Sequence, residues 1–179
     1  MRSNTKGFSL AELVVGIVIF GVISASALGF LVASTNTYGS LSANMNMRME
    51  AQLAVNQISE YLIDCNSGVY WYDSTKSLCV LRTDGGSTTA HVFELNCESG
   101  ELLYGKGEAV YRNGAYEYSV SPADLLVDNA VGFDVALISN DGEGISCAVI
   151  ELKLETRGKT HTEERTIALR NKPEGKNIL

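Results

Sequence analysis

The chain has 179 residues, 45% of them hydrophobic, and 21 acidic against 14 basic side chains give it a formal net charge of −7. That length leaves room for one small soluble domain beside an anchor. The charge excludes a protein that grips nucleic acid by neutralising phosphates, because that chemistry needs clustered Lys and Arg, and the nearest cluster, Arg157 to Lys159, reads as a turn.

The N-terminus opens with Arg2 and Lys6, a short basic stretch that ends at Gly7. Phe8 begins an apolar segment whose one charge is Glu12, and from Leu13 to Ala33 no side chain is ionisable. A helix needs about 20 apolar residues to cross the hydrocarbon core of a bilayer, so this segment is long enough to span it. An acid near the start of such a helix is costly in lipid and marks a functional position. The next basic residue is Arg48. The positive-inside rule therefore directs the C-terminal bulk to the exported side.

Lys6-Gly7-Phe8-Ser9-Leu10-Ala11-Glu12 followed by an apolar run resembles the type IV pilin-like family: pilins, minor pilins, and the pseudopilins of type II secretion and competence systems. The resemblance covers about residues 6 to 33. It implies that prepilin peptidase cuts between Gly7 and Phe8 and N-methylates Phe8. It also implies that Glu12 pairs with the amino terminus of a neighbouring subunit during filament assembly. The physics agrees, since an amine and a carboxylate are each expensive in lipid and partly cancel as a pair. Gly29 stands where many major pilins of that family carry a helix-bending Pro, which counts against a major pilin. The implied partners are the peptidase, other pilin or pseudopilin subunits, an inner-membrane assembly platform and, before assembly, the lipid bilayer. The implied location is the cytoplasmic membrane, single-pass with the C-terminal domain exported, and then a surface or periplasmic filament.

Two other readings stay open. An ordinary secretory signal would be cut after Ala27, at Ala25-Ser26-Ala27, to release a soluble binding domain. It would carry Glu12 inside its apolar region, and the apolar run continues past that cut to Val32. A plain membrane anchor explains the span and leaves Gly7-Phe8 and Glu12 without a purpose.

Beyond Ala33 the helix is expected to continue to about Ile63. Met47, Ala51, Ala54, Ile58 and Tyr61 or Leu62 recur in steps of three and four, which describes one buried stripe. Gly39 with Ser40, Ser42 and three Asn residues lowers helix propensity around residue 40 and marks a weak point. Strands follow. Leu78 to Arg82 leads to the Asp84-Gly85-Gly86 turn. His91 to Leu95 and Leu102 to Tyr104 form a hairpin, and Asn113-Gly114 signals another. Residues 125–131 read as loop or short helix. Ser146 to Glu155 and Glu164 to Arg170 form a long final hairpin around Gly158, with Ala148, Ile150, Leu152 and Leu154 on one face. The fold class is α+β, with a long N-terminal helix, half membrane-spanning and half soluble, packed on an antiparallel β-sheet head. The expected divisions are a cleaved leader 1–7, a transmembrane or filament-core helix 8–33, its soluble half 34–63, a β-rich head 64–170 and a flexible tail 171–179. A many-stranded head with a long final hairpin is similar in layout to the J-type minor pseudopilins.

The head offers little chemistry. Cys65, Cys79, Cys97 and Cys147 lack C-x-x-C spacing, so neither a zinc site nor a thioredoxin-like motif is supported. Export permits disulfides among them, and three pairings are possible. Asp141 and Glu143 are a weak calcium candidate, with oxygen ligands at alternating positions, in a loop that lacks the full calcium-binding spacing. Trp71 between Tyr70 and Tyr72 suits an interface or a core edge. Cys65 or Cys97 could pair with His91, but nothing local marks any thiol as activated, His161 falls at a turn, and no hydrolase, metalloprotease or phosphate-loop motif occurs. The expectation is no enzyme and no cofactor: a minor pilin or pseudopilin whose mechanism is assembly.

Overall fold

The computed structural model describes residues 9–112, 115–139, 142 and 144–178. The cleavage and methylation positions Gly7 and Phe8, the Asn113-Gly114 turn, the calcium candidates Asp141 and Glu143, and Leu179 lie outside the described residues. The chain divides into two compact units, one ending at Ala43 and the other starting at Asn44. A single helix, α1 (Leu10–Ile63), contributes to both.

In the first unit, residues 10–43 of α1 carry no buried side chain. Phe20 is 72% and Phe30 75% exposed. Hydroxyl groups inside this apolar stretch satisfy themselves on their own helix: Ser26 Oγ donates to the Val22 carbonyl at 2.8 Å, and Thr37 Oγ1 to the Ala33 carbonyl at 2.9 Å. This back-bonding lets hydroxyls sit in a helix without an unpaired polar group. The stretch around Gly39 that propensity marks as weak is helical. Ser40 Oγ bonds the Thr37 carbonyl there.

The second unit takes residues 44–63 of α1 and ten strands: β1 (Gly68–Tyr72), β2 (Ser77–Asp84), β3 (Ser87–Asn96), β4 (Glu101–Arg112), β5 (Ala115–Tyr118), β6 (Asp124–Val127), β7 (Ala130–Ile138), β8 (Cys147–Thr156), β9 (Lys159–Ala168) and β10 (Glu174–Ile178). They form two sheets. The larger runs β10-β1-β2-β3-β4-β5 with β6 also on β4, and the smaller runs β7-β8-β9. All pairs are antiparallel except β1 with β10. The α+β class holds, with the head split into two sheets.

The predicted helical stripe is buried, with Met47, Ala51, Ala54, Ile58 and Leu62 facing the core, and Val55, outside that prediction, joins them. They meet Leu78, Val80 and Phe93 of the larger sheet and Phe133, Ile150 and Leu152 of the smaller one in a single cluster. Each large aliphatic or aromatic side chain fully buried here contributes about 1.5–3 kcal/mol. The other face of the larger sheet is also covered. Cys79, Leu81, Ala90, Val92 and Ala109 lie under Tyr70, Tyr72, Tyr116, Tyr118 and Val120. The cover comes close enough to require glycine in β4. A Cβ on Gly105 would lie 2.8 Å from Pro122 Cα, and one on Gly107 would lie 2.7 Å from Val120 Cγ2. Burial on both faces explains why Leu78-Cys79-Val80-Leu81 is apolar without alternation.

Among the described residues, two two-residue hairpin turns follow from backbone conformation. Gly85 and Gly86 have φ of 59° and 91°, and Arg157 and Gly158 have 54° and 72°. Positive φ at both central residues matches the right-handed twist of the flanking strands.

Two expectations are corrected. Residues 125–131 are mostly strand: they hold most of β6 and the start of β7, with a two-residue bend between them. The tail is not loose over its described residues 171–178. Its β10 pairs in parallel along the whole of β1, from Gly68 with Glu174 to Tyr72 with Ile178. Asn177 reaches on to the smaller sheet, its Oδ1 accepting from Leu137 N–H at 3.4 Å and its Nδ2 donating to the Leu137 carbonyl at 3.3 Å. A polar tail with Pro173 and Gly175 gives no periodic signal, so what orders it is the open edge of β1.

Candidate assembly site

Glu12 sits in the first turn of α1, which opens as Ser9-Leu10-Ala11-Glu12. The first N–H groups of any helix lack intrahelical acceptors, and an S-x-x-E sequence supplies them reciprocally. Here Ser9 Oγ accepts from Ala11 N–H at 3.3 Å, and Glu12 Oε2 accepts from Ser9 N–H at 3.0 Å. The Ser9 carbonyl already takes the first intrahelical bond, from Leu13 N–H at 3.2 Å. The carboxylate is thus turned back over the helix N-terminus, where the helix dipole favours negative charge. Beside it Gly16 leaves a gap. An open groove of about 450 Å³ lies along Ala11, Glu12, Val15, Gly16 and Ile19. Nothing lies within 4 Å of where a Gly16 side chain would begin.

Farther along, Gly21, Ala25, Gly29 and Ala33 recur at steps of four. Such a row lets two helix backbones approach closely in a membrane. The sequence held this signal in plain view, but the apolar run hides it, because Gly and Ala count as apolar in hydropathy and differ only in size.

In the head, the structure pairs none of the four cysteines predicted as disulfide candidates: Cys65, Cys79, Cys97 and Cys147 are all free. The reason is placement. Cys65 closes the end of α1 on the helix-facing side, with Sγ 3.1 Å from the Gly68 carbonyl and 3.3 Å from that of Leu81. Cys79 belongs to the cluster on the opposite face of the larger sheet. Cys97 is exposed in the β3–β4 turn, and Cys147 starts β8 in the smaller sheet. Burial pushes the Cys65 thiol up and the Cys79 thiol up to about 12. Both stay protonated at neutral pH, the unreactive form.

His91 is 6% exposed, stacked on Tyr61 of α1 with ring centroids 4.3 Å apart. Its Nδ1 lies 2.8 Å from the Tyr104 hydroxyl, which is 3.3 Å from that of Tyr61. Burial, then the nearby Lys106 and Arg82 cations, lower its pKa to about 4. His91 therefore joins α1 to β3 and β4 as a neutral polar bridge. His161 faces Glu163 on β9, Nε2 to Oε2 at 3.5 Å. Arg165 of the same strand bonds Glu163 and reaches Asn56 of α1. Trp71 is a core residue, edge-on to Phe133 at 5.4 Å and not an exposed patch. Among the described residues no three His, Cys, Asp or Glu side chains gather as a metal site.

Residues 2–28 match the family model described as the prokaryotic N-terminal methylation motif. No curated protein and no solved structure matches the chain. Among the described residues one helix is long and apolar enough to cross a membrane, and its most apolar window has a mean hydropathy of 2.5 and no buried residue. The matched motif and this exposed helix support a type IV pilin-like subunit, anchored in the membrane, processed by prepilin peptidase and assembled with other pilins.

Proposed function

We propose that the chain is a minor pilin or pseudopilin, built into a filament of a type IV pilus, type II secretion or competence system, and that it works by assembly and not by turnover. The carrying observation is the pairing of the methylation motif at residues 2–28 with a helix whose residues 10–43 bury nothing of their own. A helix apolar all round is stable only inside lipid or among other helices. The row Gly21, Ala25, Gly29 and Ala33 suits the second surrounding. In this reading the leader 1–7 is removed at Gly7-Phe8, Phe8 is methylated, residues 8–33 move from bilayer to filament core, and Glu12 sets register against a neighbour's amine. The β-rich head makes the contacts that give the subunit its place.

The test is the intact mass and first residue of the protein from membranes of its own host, followed by the fraction recovered in filaments. The expected product begins at Phe8 with one added methyl group, and Glu12→Ala is exported and processed normally but leaves the filament fraction. A product beginning at Leu28 would make it an ordinary exported domain and end the assembly reading. Undiminished filament incorporation of Glu12→Ala would remove the register role.

A further inference from the structure

Independently of the part the anchor plays, we propose that a notch at the end of the larger sheet receives a lysine or arginine side chain from an extended segment of a partner protein, held by Glu108, Tyr111 and the backbone edge of β4. The notch, about 380 Å³, opens where β4 runs past the β2–β3 turn, and Thr83, Ser87, Thr88, Glu108, Tyr111 and Tyr116 are on its wall. Three observations meet there. The β3–β4 ladder ends at Thr88 with Ala109, whereas β4 continues to Arg112. Val110, Tyr111 and Arg112 pair with β5 on one side, and their other edge extends beyond β3. An unpaired strand edge is a template for a further strand. Tyr111 is 61% exposed and tilted edge-on to Tyr116, with ring centroids 4.9 Å apart, which leaves its ring open to a cation. Glu108 forms no ion pair among the described residues, and no basic residue lines the notch.

The hydroxyl groups select the sign of the occupant. Asn66 is fixed by Thr83, its Nδ2 donating to the Thr83 carbonyl at 2.9 Å and its Oδ1 accepting from Thr83 N–H at 2.8 Å. Ser67 Oγ donates to the same Oδ1 at 3.0 Å. A hydroxyl has one proton to give. Thr83 Oγ1, 2.5 Å from Ser67 Oγ, is then the donor to it, and Thr88 Oγ1, 2.7 Å from Thr83 Oγ1, is the donor in turn. The chain ends at Thr88 with lone pairs and no proton left. Ser87 Oγ is spent likewise on the Asp84 carbonyl at 3.2 Å. Together with the Glu108 carboxylate, these oxygens can only accept. Such a wall repels an anion, and a sugar hydroxyl brings lone pairs along with its proton and satisfies it less fully. An ammonium or guanidinium is cationic and donor-only, so it suits every one of these acceptors. The strand edge decides where the cation comes from, because main-chain bonding to residues 110–112 requires a peptide. Ser67 is a positioning residue, acting through Thr83 on the proton of Thr88.

The experiment follows backbone amide resonances of the full chain in detergent micelles as defined probes are added. The probes are acetyl-Thr-Val-Lys-Val-Thr-amide, its Arg, norleucine and Glu counterparts, butylamine and N-acetylglucosamine. The Lys and Arg peptides should shift residues 110–112, Thr88 and Glu108, and bind about fivefold more tightly than the norleucine peptide. The Glu peptide should leave these resonances unmoved. Glu108→Gln should erase the preference for Lys over norleucine, and Tyr111→Leu should weaken the Lys peptide about threefold. Ser67→Ala should weaken the Lys peptide about twofold and leave the norleucine peptide unchanged. The spectrum of each variant first confirms its native fold. Equal affinity for the Lys and norleucine peptides would overturn recognition of the cation, as would a preference that survives in Glu108→Gln. Butylamine binding as tightly as the Lys peptide would overturn the strand pairing. Shifts from N-acetylglucosamine without shifts from the peptides would make the notch a sugar site and end the proposal. Undiminished affinity in Ser67→Ala would remove the hydroxyl chain from it.

Discussion

One helix serves two regions that treat apolar side chains in opposite ways. In residues 44–63 of α1 the apolar side chains gather on one stripe, and Ile58 and Leu62 have no exposed surface. In residues 10–43 they lie all round the helix, and every one is exposed or half-exposed. The first pattern is explained inside the molecule by two sheets. The second has no explanation inside the molecule. An exposed apolar surface on that scale requires surroundings that are themselves apolar. The head thus carries the reasons for its own fold, while the anchor segment depends on a membrane or on neighbouring helices for its stability.

The sharpest way to break that comparison is to damage each half and look for an effect on the other. Ile58→Ala opens a cavity beneath α1 and should cost the head about 2–5 kcal/mol. Chemical denaturation in detergent reads the loss, and membrane insertion should stay unchanged. Phe20→Lys places a charge midway along the apolar segment and should disfavour insertion by about 2.5–3.5 kcal/mol. The share of protein that resists alkaline extraction from membranes should fall while the head's unfolding midpoint holds. If either substitution harmed both regions equally, the two would not be energetically separate.

Acid sharpens the comparison further, because the head holds a buried histidine and residues 10–43 hold none. His91 is depressed from an ordinary 6.5 to about 4. The unfolded chain therefore binds the proton more readily, and stability rises with pH across this window. Its contribution is complete above about pH 6.5 and lost as pH falls through about 4. At pH 5 the loss is about 2 kcal/mol by linkage. Unfolding free energies from urea titration at pH 7 and pH 5 should differ by that amount, and His91→Gln should flatten the difference. The smallest effect belongs to the surface. Lys76 Nζ lies 2.6 Å from Asp73 and 2.8 Å from Asp134, bridging the β1–β2 turn to β7. These are exposed pairs, so Lys76→Met should cost less than about 1 kcal/mol and fade with added salt.

Much of the fold was legible along the chain because its signals are local. Steps of three and four in the helical stripe, Gly85-Gly86 and Arg157-Gly158 at the turns, and alternation in β8 each depend on near neighbours. What failed depends on distant ones. The residues of β10 carry no strand pattern, and they are ordered by the free edge of β1, about a hundred residues earlier in the chain. The cysteines looked available for pairing because spacing says nothing about which face of a sheet a side chain occupies. The sequence leaves Trp71 open between an interface and a core edge, and the fold makes it core, with Tyr70 and Tyr72 packed on the opposite face.

The candidate assembly site divides in the same way. The chain by itself determined that an apolar segment long enough to span a membrane carries one acid at Glu12, and that Ser9 stands three residues before it, because hydropathy and capping are properties of consecutive residues. Only the folded helix decided that the carboxylate turns back onto Ser9 N–H and that Gly16 leaves an open groove beside it, since a side chain's direction and an empty volume exist only once the backbone is coiled. The head required the most from tertiary structure. Its two sheets close around α1 through pairings between strands far apart in sequence, which no local pattern encodes.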